Sequence, residues 1–113
     1  MKHLLFICSR NKLRSPTAEE VFSSLPDFEV ASAGLDNDAD LKLTSEMVDW
    51  ADIIFVMEKI DLAKLKAAFG PHLKRQHIIC LDIPDRFEFM DPDLVRILKQ
   101  KVPKFIGMSP DAL

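Results

Sequence analysis

The chain has no tyrosine, only two cysteines and no surplus of positive charge, and the last two shortages each close a class of function. Two cysteines in a chain read as cytoplasmic are too few for a disulfide framework. A net charge of −3 leaves no electrostatic footprint for nucleic acid, because affinity for a polyanion rests on clustered lysine and arginine. Long apolar runs are missing as well. The stretch after Lys2-His3 is roughly half the length of a secretory h-region and breaks at Ser9, so neither a leader nor a membrane partner is expected. His3, His72 and His77 have no cysteine or carboxylate at ligand spacing, which predicts no metal site and no cofactor. There is no internal repeat or low-complexity tract.

What is present suits one compact core. An apolar content of 48% over 113 residues provides for a single domain, 1–113. Apolar runs and helical stripes alternate: strand 3–7, helix 16–24, strand 29–33, helix 44–50, strand 52–57, helix 61–69, strand 77–81 and helix 92–101. Asp61 is expected to cap the third helix, and Asp91-Pro92 to start the fourth with a cap and a proline. This order predicts an α/β three-layer sandwich, a four-stranded parallel sheet with helices on both faces, flavodoxin-like with strand order 2-1-3-4. Ligands in such sheets bind beyond the C-terminal ends of the strands.

At the first of those ends stands Cys8-Ser9-Arg10-Asn11-Lys12-Leu13-Arg14-Ser15. Leu4-Leu5-Phe6-Ile7 reads as a buried strand, and Ser15-Pro16 as a helix start with Ser15 as N-cap. In a strand-to-helix loop the N–H groups of residues 9–14 can turn inward around an anion, with the helix N-terminus adding partial positive charge. Ser9, Arg10, Asn11, Lys12 and Leu13 would line this cradle, and Arg14 supplies a planar fork for two phosphate oxygens. Cys8 falls at its floor, where positive potential favours a nucleophilic thiolate. Taken singly, Cys8 would be a small buried hydrophobe and Arg14 a solvated charge; their shared context argues for more.

With Cys8, Asn11, Arg14, Ser15 and Pro16 in these positions, the chain resembles the low-molecular-weight protein tyrosine phosphatases. Val30-Ala31-Ser32-Ala33-Gly34 and Ala51-Asp52-Ile53-Ile54-Phe55-Val56-Met57 look like that family's second and third strands. The resemblance implies that Cys8 attacks phosphorus, Arg14 binds the phosphoryl oxygens, Asn11 holds the loop and Ser15 supports the sulfur. Three departures stand out. Arg10 occupies a position where the family usually has glycine, which predicts either a changed backbone or a negative φ. Leu13 replaces the second cysteine of many members, removing a reversible disulfide partner. The segment between Gly34 and Ala51 is short, so the family's aromatic specificity loop is missing.

The loop after the fourth strand, Leu81-Asp82-Ile83-Pro84-Asp85-Arg86-Phe87-Glu88-Phe89, is where the resemblance implies an Asp-Pro proton donor. Here the dipeptide is split. Asp82 is favoured because it directly follows the strand, Asp85 is the alternative, and Asp91 is chiefly a cap. Phe87 and Phe89 are candidates for a substrate wall or for packing. The expected activity is hydrolysis of an aryl phosphate or phosphotyrosine through a phosphocysteine, with a phosphorylated protein or small phosphomonoester as substrate and inorganic phosphate as product. A phosphate-loop binding module without turnover is the alternative from another class. A thiol-dependent arsenate reductase would need more cysteines, and Arg14-Ser15 argues against a cysteine phosphocarrier.

Overall fold

The computed structural model describes residues 1–109. Strands β1 (Lys2–Cys8), β2 (Phe28–Gly34), β3 (Ile53–Val56) and β4 (His77–Cys80) form one parallel sheet in the order β2-β1-β3-β4. Helices α1 (Arg14–Phe22), α2 (Ser45–Trp50), α3 (Lys59–Phe69) and α4 (Pro92–Lys101) connect and cover it. Fold class and strand order are those expected from the sequence.

The continuous apolar run of β1 is the pattern of a strand buried on both faces. Alternation sends Leu4, Phe6 and Cys8 into one core with Ala18 and Phe22 of α1 and Leu94 and Leu98 of α4. Leu5 and Ile7 enter a second core with Val48 of α2 and Leu65 of α3. Phe6 stacks on Phe22 at 5.6 Å and on Phe55 at 4.9 Å between ring centroids, contacts worth about 0.5–1.5 kcal/mol each beyond their buried area. They fix α1 against the sheet and so set the direction in which the chain leaves Cys8. From β1 the chain runs outward to β2 and then crosses back to β3, which makes the C-terminal end of β1 a topological switch point.

Two helix starts differ from the sequence reading. α1 begins at Arg14 after Leu13, with no side-chain cap; Ser15 is wholly buried and is not the N-cap. Its hydroxyl has polar partners inside the fold, Cys8 and Asn11, and these replace the local cap. α3 begins after Glu58, and Asp61 is its third residue, with Oδ2 accepting the Glu58 N–H at 3.1 Å. Asp91 does cap α4, accepting from the Asp93 N–H at 2.9 Å. Cys80, the last residue of β4, is partly exposed; partial burial pushes its thiol pKa up, and its Sγ lies 3.5 Å from Asp82 Oδ1. No described helix is long and apolar enough to cross a membrane.

Candidate active site

The loop between β1 and α1 is supported from outside by the short segment after β2. The carbonyls of Cys8, Ser9 and Arg10 accept from the N–H groups of Leu35 (3.1 Å), Asp36 (2.8 Å) and Asp40 (3.1 Å). With these carbonyls engaged outward, the loop's amides are free to face inward. Gly34 makes the approach possible: a Cβ there would lie 2.9 Å from the Arg10 carbonyl carbon and the Asn11 nitrogen, and 2.5 Å from the Ala39 Cβ. Arg10 is not among the residues with positive φ, in keeping with the second reading of its substitution; Asn11 takes the left-handed turn instead, at φ 54°. Asparagine is one of the few residues that enters this region readily.

That turn aims both ends of Asn11 at the site. Its N–H donates to Cys8 Sγ at 3.2 Å, while its side-chain amide donates to the hydroxyls of Ser15 and Ser32, each at 3.0 Å. Ser32 in turn donates to Glu19. Ser15 Oγ lies 2.9 Å from Cys8 Sγ, so a sulfur carrying no proton receives the Ser15 hydrogen as well as the Asn11 N–H.

Arg14 is almost wholly buried, at 4% side-chain exposure. Its Nη1 donates to Glu58 Oε1 at 2.7 Å and to the Ile83 carbonyl at 2.8 Å, and its Nε lies 3.6 Å from Asp85 Oδ1. A cavity of about 70 Å³ opens above Cys8, lined by Ser9, Arg10, Lys12, Leu13, Arg14 and Asp85. It is far smaller than the roughly 300 Å³ at which pockets for drug-sized ligands begin, and its lining is cationic on one side.

The structure brings Cys8, Arg14, Ser15, Asn11 and Asp85 together and keeps Asp82 away. Asp82, at φ 54°, lines a neighbouring hollow with Glu58, Lys59, Ile60, Ile83 and Pro84. Phe87 is buried in the α1/α4 core, whereas Phe89 is about half exposed. Arg10 and Lys12 are exposed at the rim in loose ion pairs with Asp38 (3.4 Å) and Asp40 (3.9 Å). Leu13 is partly exposed, and its carbonyl accepts from Thr17 Oγ1 at 2.7 Å. Thr17 Oγ1 in turn accepts the Met90 N–H at 2.9 Å, tying the loop after β4 to α1.

Four polar residues around the site were not read as site residues from the sequence: Glu19, Ser32, Glu58 and Asp61. Asp61 is fully buried at the α3 N-terminus, and its Oδ1 accepts from the Ser9 hydroxyl at 2.7 Å. Burial holds its carboxyl above the usual aspartate range, against the Ser9 hydroxyl and the Arg14 charge. Lys64 of α3 reaches Ser9 Oγ (3.4 Å) and Asp36 (3.0 Å). The only local signal was the Glu58-x-x-Asp61 spacing of a helix start, which says nothing of a distant loop.

No family model and no curated protein sequence matches the chain. Solved structures do. The chain is similar to SP-PTP, a low-molecular-weight protein tyrosine phosphatase from Streptococcus pyogenes, at 18% identity and a TM-score of 0.77, covering 99% of this chain and 97% of that one. It is similar to the YwlE arginine phosphatase from Geobacillus stearothermophilus at 20% identity and a TM-score of 0.75, over 95% and 94% of the two chains. Similarity to the tyrosine phosphatase Wzb from Escherichia coli K30, solved with phosphate, gives 22% identity and a TM-score of 0.74 over 94% and 96%. The parallel sheet of order β2-β1-β3-β4, with its cysteine loop at the switch point, is thus the fold of the low-molecular-weight tyrosine phosphatases.

Proposed function

We propose that the protein is a phosphomonoesterase of the low-molecular-weight tyrosine phosphatase type, working through a phosphocysteine. The observation that carries this reading is the convergence on one small cavity of a sulfur with two donors, a buried guanidinium and a carboxylate. Cys8 Sγ attacks phosphorus as the ester P–O bond breaks, and Asp85 gives its proton to the leaving oxygen. Water then attacks the phosphocysteine, Asp85 takes a proton from it, the S–P bond breaks and phosphate leaves. Arg14 and the loop amides hold the equatorial oxygens as charge spreads over them in each step. Asp85 takes the proton-transfer role in preference to Asp82 because it alone of the two lines the cavity.

The buried Phe87 offers no aromatic wall, and Arg10, Lys12, Leu13 and Asp85 line the cavity with no aromatic residue beside them, so the substrate is assigned as a phosphomonoester without commitment to phosphotyrosine. A disulfide-shuttling reductase is disfavoured by register. Ile7 pairs with Val56, and Val56 with Cys80, which puts two strand spacings, about 9–10 Å, between the strand ends that carry the two thiols. Cysteines more than about 7 Å apart between Cα atoms cannot be bridged without backbone movement.

The test is steady-state hydrolysis of aryl phosphate, with phosphoarginine as a second substrate, and acid-quench trapping of the phosphoenzyme. Wild type should turn over at least one of them and trap label on Cys8; Cys8→Ser should lose turnover. Tight phosphate binding without any turnover would instead favour the binding-module alternative.

A further inference from the structure

Cys8, Ser9, Arg14 and Asp85 each have a partner or a chemical role at the cavity, which leaves two of its charged lining residues, Arg10 and Lys12, without one. Both are cations. They stand on either side of Asn11, whose left-handed backbone goes with a side chain spent on Ser15 and Ser32. Arg10 Nη2 lies 3.4 Å from Asp38 and Lys12 Nζ 3.9 Å from Asp40, so both reach toward the segment after β2, whereas Asp85 approaches from the segment after β4. All four of those paired side chains are 41–66% exposed, and ion pairs so open to water hold weakly. A ligand anion can therefore take the place of Asp38 and Asp40 at little cost. The cavity, at about 70 Å³, has room for a phosphoryl group and little more, so whatever the phosphate is attached to rests at the rim. No aromatic ring lines it to stack on a leaving group; beside Leu13, the rim offers two positive charges.

We infer that Arg10 and Lys12 are specificity-determining residues that bind a second anionic group, a carboxylate or a further phosphate, carried by the phosphomonoester on its β2 side, and that this group competes for them with Asp38 and Asp40. This rests on the phosphatase reading above and names its substrate class: esters with an anion a few bonds from the phosphate. On a chain of net charge −3 such a preference comes from local cations and not from the overall field. Small acidic metabolites and phosphopeptides with a neighbouring carboxylate share this chemistry.

The esters 3-carboxyphenyl phosphate and 3-carbamoylphenyl phosphate differ by one charge at nearly equal size. At low salt, wild type should favour the carboxylate ester by about 5–20-fold in kcat/KM, and the ratio should approach one in about 1 M salt, where the Debye length is about 3 Å. Arg10→Gln with Lys12→Gln should bring the ratio near one already at low salt. Asp38→Asn with Asp40→Asn removes the competitors and should raise it about two- to fivefold. Phosphotyrosine peptides with glutamate or glutamine beside the phosphorylated residue form a second arm, and an advantage confined to one arm supports the inference and identifies the source of the anion. Equal rates within both arms, or a preference that survives Arg10→Gln with Lys12→Gln, overturns the inference and leaves the phosphatase reading intact. A wild-type protein that neither turns over any of these esters nor binds phosphate overturns both. Where phosphate binds without turnover, Kd for the same pairs by calorimetry replaces kcat/KM under the same criteria. Should the Arg10 and Lys12 variant fail to fold, the salt series and the Asp38 and Asp40 variant decide: a ratio that neither of them moves overturns the inference.

Discussion

Asp85 Oδ1 lies 3.6 Å from Arg14 Nε, at the mouth of the cavity whose floor is Cys8. A carboxylate there can meet the oxygen that leaves phosphorus opposite the attacking sulfur, since displacement is in line. Asp85→Asn should lower kcat by about 10²–10⁴-fold for esters with poorly acidic leaving groups, and by much less for highly acidic ones that depart unaided. Asp82→Asn should stay near wild type. A panel of aryl phosphates of graded leaving-group acidity decides it, and the reverse ranking of the two variants would restore Asp82 as the donor.

Asn11 joins the sulfur, Ser15 and Ser32. Asn11→Ala leaves both buried hydroxyls short of a donor and removes a side chain suited to φ 54°. The expected cost is about 1–3 kcal/mol in urea unfolding, together with a fall in kcat larger than any change in KM.

Gly34→Ala places a methyl group against the Arg10 and Asn11 backbone, atoms that cannot swing aside. Overpacking of this kind costs about 1–3 kcal/mol. Phosphate affinity should fall with stability, because the displaced backbone is the cradle itself; calorimetry on folded Gly34→Ala reads it.

Two aspartates should tilt the pH dependence of stability in opposite senses. The His3 N–H, with help from Arg75, holds the Asp52 carboxyl below its ordinary value despite some burial. Its contribution is present above the ordinary aspartate value of about 3.9 and is lost as pH falls through the depressed one. For Asp61 the sign reverses. Its raised value means the folded chain binds more protons than the unfolded one just above about pH 4, so its contribution falls as pH rises through that window. Urea titrations from pH 3 to 7 should show Asp52→Asn less stable by about 1 kcal/mol near neutrality with a flatter acid limb. Asp61→Asn should lose the decline on the other side.

The parts of the fold written in local pattern were legible: the four strands from their apolar runs, and the Asp91-Pro92 helix start from its cap. The meeting of Cys8, Asn11, Arg14 and Ser15 in one place was also legible, because they lie within one loop and the turn after it. Ser15 misled as an N-cap because its partners, Cys8 and Asn11, meet it only once the loop has folded back. Asp82 was favoured for following β4, but its left-handed backbone carries it to the neighbouring hollow, and the chain reaches the cavity at Asp85. Glu58 and Asp61 lie 44 and 52 residues from their partners Arg14 and Ser9, a separation that no single-sequence periodicity encodes.

The carbonyls of Cys8, Ser9 and Arg10 are held by the N–H groups of Leu35, Asp36 and Asp40, bonds that the chain makes with itself. The ordering entropy of the receptor is thus met during folding and not when its guest arrives. Saturating phosphate should leave amide exchange at Leu35, Asp36 and Asp40 unaltered, and association should carry only a slight heat-capacity change. The brief span after β2 is, in this light, the mould in which the anion's seat is cast.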